Sequence, residues 1–222
     1  MRPVKQLLRH CRQMKALACT GIGIAALACT SAIAQAPPGS LTKATFKLVR
    51  SPGLASFPTV APNAHGTVTI RSIGPVEIMK VNAEGLPPNT DFDLFVIQVP
   101  NPPFGLSWYQ GDIETDAYGN GSGEFIGRFS IETFIVAPGV APAPADPFNE
   151  PGSIPDATQN PQTNPVQTYH LGLWFNSPAD VVKAGGPNLI TPFNGEHNAG
   201  VQVLNTSESP FTDAHGPLEQ VK

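Results

Sequence analysis

The feature that most limits the fold of this chain is an alternation of period two, repeated in short runs that proline and glycine interrupt. Tyr169, Leu171, Leu173 and Phe175 form one such run. Successive side chains on a strand point to opposite faces, so each run predicts a strand with one buried face. The 222 residues include 25 prolines and 21 glycines. Many of them fall between the runs, where proline forbids continued pairing. Long helical periodicity is missing, which excludes helical bundles and alternating βα folds.

Further strands follow from the same pattern. Ala44, Phe46 and Leu48 alternate with Thr45 and Lys47, and Val68 and Ile70 alternate with threonines and Arg71. Val76 and Ile78 lie in the opposite phase to Met79, Val81 and Ala83, which predicts a bulge inside that strand. Asp91–Val99 is apolar on both faces after Phe92 and reads as a central strand. Phe125, Phe129 and Ile131 mark another, and Val201 and Val203 the last. One short helix is signalled by Ser177 as cap, Pro178 at the first position, Asp180 three residues after the cap, and Gly185 as a stop.

About eight short strands predict an all-β antiparallel β-sandwich with an immunoglobulin-like Greek key. The expected organisation is a signal segment at 1–34, a flexible lead-in at 35–42 and one domain at 43–222. A proline-rich insertion spans 137–166, with eight prolines in thirty positions. Such a segment favours extended polyproline conformation and reads as an excursion that leaves the sandwich and returns.

Two turns carry a resemblance. Gly85-Leu-Pro-Pro-Asn-Thr90 leads into Asp91-Phe-Asp-Leu-Phe-Val96, and Asp116-Ala-Tyr-Gly-Asn-Gly-Ser-Gly123 reads as a glycine-rich hairpin. This stretch, residues 81–129, resembles secreted bacterial immunoglobulin-like and chordin-type (CHRD) domains. The resemblance implies a β-sandwich and no particular activity. Chordin-type domains commonly carry histidines on the strand after the turn, and residues 91–96 have none.

The first 34 residues have the three parts of a bacterial-type secretory signal. Arg2, Lys5, Arg9, Arg12 and Lys15 form the basic region, Ala16–Ala28 the apolar region, and Ala32-Ile33-Ala34 the cleavage site before Gln35. The apolar run is too short for a good membrane span. Cys29 also suggests a lipoprotein site, but Ala26 stands where a large aliphatic residue is preferred, so the soluble form is expected. Cleavage removes all three cysteines, Cys11, Cys19 and Cys29, and with them thiol catalysis, cysteine–zinc sites and iron–sulfur clusters. The chain has 13 basic and 17 acidic residues; losing five basic ones leaves 8 against 17, a net of −9. That balance excludes nucleic acid and anionic membrane surfaces, which need a basic footprint. The expected location is secreted or periplasmic, with no stable membrane insertion after cleavage.

Chemistry-bearing motifs are few. There is no G-x-S-x-G elbow, and the glycine-rich loops do not open a helix. Asp91 and Asp93 are a carboxylate pair at the spacing common on strand faces. Asp116–Glu124 has the outline of a calcium loop, but Tyr118 stands where an oxygen ligand belongs, so a hairpin is expected. No catalytic residue and no cofactor are expected. Trp108 and Tyr109 are adjacent on a strand and so point to opposite faces, and Trp174 alternates against Leu173 and Phe175. These three are the candidate binding residues, suited to stacking on a sugar or contacting a protein of the envelope. The alternative is a metal site built from His170, His197 and Glu196.

Overall fold

The computed structural model describes residues 37–135, 166–192 and 197–222. Gln35–Lys222 forms one compact unit. Its strands are β1 (Lys43–Arg50), β2 (His65–Ile73), β3 (Val76–Glu84), β4 (Asp91–Ile97), β5 (Ser107–Glu114), β6 (Gly121–Gly127), β7 (Phe134–Ile135), β8 (Val166–Gln167), β9 (His170–Phe175) and β10 (Gln202–Asn205). The one α-helix among the described residues is α1 (Pro178–Lys183).

The fold is all-β and antiparallel. Eight strands make one sheet in the order β5-β4-β9-β10-β1-β2-β3-β6, and β7 and β8 pair separately. The sheet curls until its two edge strands meet at a bridge between Thr115 and Gly121. The layers expected of a sandwich are thus opposite walls of one nearly closed sheet. Around it β3, β6, β5 and β4 follow one another, which is a Greek-key order. Residues from both walls, among them Leu48, Val68, Met79, Leu94, Leu173 and Val203, share a single core.

Three details differ from the pattern read in the sequence. β3 has no bulge: its register with β2 is unbroken from His65↔Glu84 to Ile73↔Val76. The inward positions are Glu77, Met79, Val81 and Ala83, all buried. A buried glutamate in an apolar row had looked like a change of phase. Glu77 is tolerated there because its Oε2 accepts the Phe129 amide at 2.7 Å and its Oε1 lies 3.4 Å from Arg128. The irregularities fall elsewhere, between Leu94 and Phe95 where β4 meets β5, and between Gln202 and Leu204 where β10 meets β9. The lead-in is also tied down from Gly39 onward. Gly39 and Leu41 donate to the Glu219 and Gln220 carbonyls (2.7 and 2.9 Å), and Lys222 donates back to Leu41 (2.7 Å).

Other expectations hold. β4 lies between β5 and β9 and is buried from Phe92 to Ile97. Ser177 caps α1: its hydroxyl accepts the Asp180 amide at 3.3 Å and donates to the Asp180 carboxylate at 2.7 Å. Ile135 pairs with Val166. Most of the proline-rich segment lies outside the described residues.

Candidate functional site

β5 is an edge strand, and its two aromatic residues divide between the faces of the sheet. Trp108 pairs with Val96 on the inner side, and Tyr109 pairs with Phe95 on the outer side. Trp108 packs half-buried against the core, and its indole N–H donates to Gln110 Oε1 at 3.3 Å. Tyr109 is 50% exposed and meets Phe95 edge-on at 5.8 Å. Trp174 is fully buried. It lies in an outer-face aromatic cluster, edge-on to Phe95 at 5.4 Å and to Phe104 at 5.0 Å. The structure therefore presents Trp108 and Tyr109 to solvent and withholds Trp174, which supports Tyr109 through Phe95.

A groove of about 440 Å³ opens where β5 and β6 separate, lined by Trp108, Gln110, Gly127, Arg128, Phe129, Glu132, Thr133 and Phe134. The two strands touch at their Thr115–Gly121 end, and small residues let them approach. A Cβ on Gly111 would come 2.7 Å from the Phe125 ring, so that ring fills the upper seam. At the lower end the groove remains. On one wall, Arg128 donates to the Pro75 carbonyl at 2.6 Å and pairs with both Glu77 and Glu132. Thr133 Oγ1 donates to the Arg128 carbonyl at 3.1 Å and accepts the Ser130 amide at 2.8 Å, which fixes this turn. Phe134 is 51% exposed. Gln110, Arg128, Glu132 and Phe134 were not singled out in the sequence. Gln110 follows Trp108-Tyr109 directly, and that adjacency was the one available signal; the other three come from a distant segment.

Of the proposed metal ligands, His170 and His197 are not brought together. His170 is fully buried. Its Nε2–H donates to the Asp213 carbonyl at 2.7 Å, and its Nδ1 accepts the Thr206 hydroxyl at 2.8 Å. Both ring nitrogens are in use, and burial pushes its pKa from 6.5 down to about 4, so it is neutral. His197 Nε2 lies 2.8 Å from Asn176 Oδ1. Asn176 is six residues along the extended chain from His170, a span of about 20 Å. Glu196 lies outside the described residues. Among the described residues no three His, Asp or Glu side chains are grouped to hold a metal ion.

The two turns that carry the family resemblance lock onto each other. Thr115 is the hub: its hydroxyl accepts the Thr90 amide at 3.0 Å and donates to the Pro87 carbonyl at 2.7 Å. Leu86 and Asn89 donate to Gly119 and Asp116 carbonyls. The Asp116 carboxylate accepts the Asn120 and Tyr118 amides at 2.9 and 2.8 Å, and these bonds hold its pKa below the ordinary value. The carboxylate thus serves the hairpin.

Comparison with family models, with curated proteins and with solved structures finds no match to this chain. Among the described residues no helix is long and apolar enough to cross a membrane.

Proposed function

We propose that this chain is an exported, non-catalytic β-domain that binds a protein or glycan of the cell envelope or the extracellular space. Its contact surface is the open seam at Trp108, together with Tyr109 on the neighbouring face. The carrying observation is the groove itself: a half-buried indole held by Gln110, between strands β5 and β6 at the edges of the sheet. Aromatic side chains in a concave site with a few fixed polar groups are the usual make-up of a binding surface. Export rests on the tripartite segment at 1–34. The acidic balance of the remaining chain suits a soluble exported protein and no nucleic-acid partner.

The site makes its own assay. Trp174 is buried and Trp108 is half-buried, so acrylamide should quench the Trp108 component first. A Trp108→Phe variant should retain only blue-shifted, protected emission. If both components resist acrylamide equally, the indole is not presented and the reading fails. N-terminal sequencing of the exported protein tests the address: Gln35 is the expected first residue.

A further inference from the structure

The inference concerns the ligand of that groove and rests on the reading above: we infer that it takes a neutral oligosaccharide, with one sugar ring stacked on Trp108. Size is the first argument. About 440 Å³ is the capacity of a small-ligand site. A stable protein contact needs about 800 Å² of surface on each partner, and the nearby exposed apolar residues do not form such a patch. Tyr109 faces the other side of the sheet, Ile126 pairs with Ile78 on the outer side of β6 and β3, and Phe134 is the exposed apolar residue of the lining.

Charge is the second argument. Among the described residues Arg128 is the one cation lining the groove, and two carboxylates, Glu77 and Glu132, neutralise it. Nothing among the described lining residues is left to attract a carboxylate, sulfate or phosphate. The rest of the domain is acidic and repels polyanions.

The polar groups supply the third. Gln110 lines the groove and its Oε1 is engaged by the indole, which leaves its amide NH2 as the donor it can offer. Glu132 is paired to Arg128 through Oε2, which leaves Oε1 as an acceptor on the opposite wall. A planar donor and a planar acceptor flanking an aromatic face suit the hydroxyls and the C–H face of a pyranose ring. An open, mixed trough also suits a polymer that passes through, whereas a compact apolar ligand needs an enclosing cavity.

The test uses the purified full chain. Maltohexaose, cellohexaose and chitohexaose are titrated while tryptophan emission and heat are recorded, with heparin and polygalacturonate as polyanions. At least one neutral hexasaccharide should change the Trp108 emission and bind at submillimolar concentration. Trp108→Ala should weaken binding at least about tenfold, and Gln110→Ala severalfold. Tyr118→Ala, at an exposed hairpin tip, should bind as the parent does. Should Trp108→Ala fail to fold, Gln110→Ala and Trp108→Phe carry the comparison. The inference is overturned if no neutral glycan binds at about 5 mM, if the Trp108 and Gln110 variants bind unchanged, or if the polyanions bind better. An envelope protein that binds through Tyr109 while all glycans fail would overturn it and leave the broader binding function standing.

Discussion

Acid should loosen this domain through His170. Its imidazole is buried and neutral, with a pKa of about 4 against 6.5 when exposed. The unfolded chain therefore takes up a proton below pH 6.5 that the folded chain refuses until about pH 4. Stability from this group is fully present above 6.5 and falls as the pH drops through that window. At about 1.4 kcal/mol per unit of pKa difference, the loss approaches about 3 kcal/mol well below pH 4, and about 2–3 kcal/mol of it is already gone at pH 4.5. The assay is urea unfolding of the parent and of His170→Gln at pH 7.5 and 4.5. The variant starts less stable, because it disturbs the bonds to Thr206 and Asp213, but its loss on acidification should be smaller by that amount. Parallel pH profiles for the two proteins, or an imidazole that titrates near 6.5 by NMR in the folded state, would refute the reasoning.

Three other substitutions probe the frame around the groove. Arg50 donates five bonds to the carbonyls of Leu54, Phe57, Val60 and Ala61; Arg50→Met should cost about 3 kcal/mol in urea unfolding and make the 51–64 loop protease-sensitive. Gly119 has φ +80°, and a Cβ there would sit 2.1 Å from the Leu86 carbonyl oxygen; Gly119→Ala should cost at least about 2 kcal/mol in thermal or urea melts. Glu77→Leu should cost about 2–4 kcal/mol by orphaning the Phe129 amide, and Glu77→Gln clearly less, because an acceptor remains; equal losses would mean that the charge pair with Arg128 matters and the amide does not.

What the sequence disclosed was local. The short helix was legible because Ser177, Pro178, Asp180 and Gly185 act within about two turns of chain. β9 was legible because Tyr169, Leu171, Leu173 and Phe175 keep strict alternation, and the same rule placed Trp174 on the far face. β3 was misread where Glu77 broke the apolar row, since its partner amide lies 52 positions away. The hub at Thr115 and the carbonyls gathered by Arg50 were hidden for the same reason: the groups they serve come from other turns. The candidate site was half legible. Trp108 and Tyr109 could be named, but Arg128, Glu132 and Phe134 join them only because the sheet curls until β6 faces β5. The metal alternative paired His170 with His197 without knowing that β9 holds them apart.

The order of strands has a consequence for synthesis. β1 lies between β2 and β10, and Leu41 is bridged to Val221. The earliest strand of the domain therefore waits for the latest. A nascent chain can make the β2–β3 hairpin at once, but one side of β1 stays open until the final twenty or so residues arrive. Contacts this distant in sequence close slowly. On the export reading proposed above the delay is useful, because a polypeptide that cannot finish its sheet early stays threadable while it is being moved.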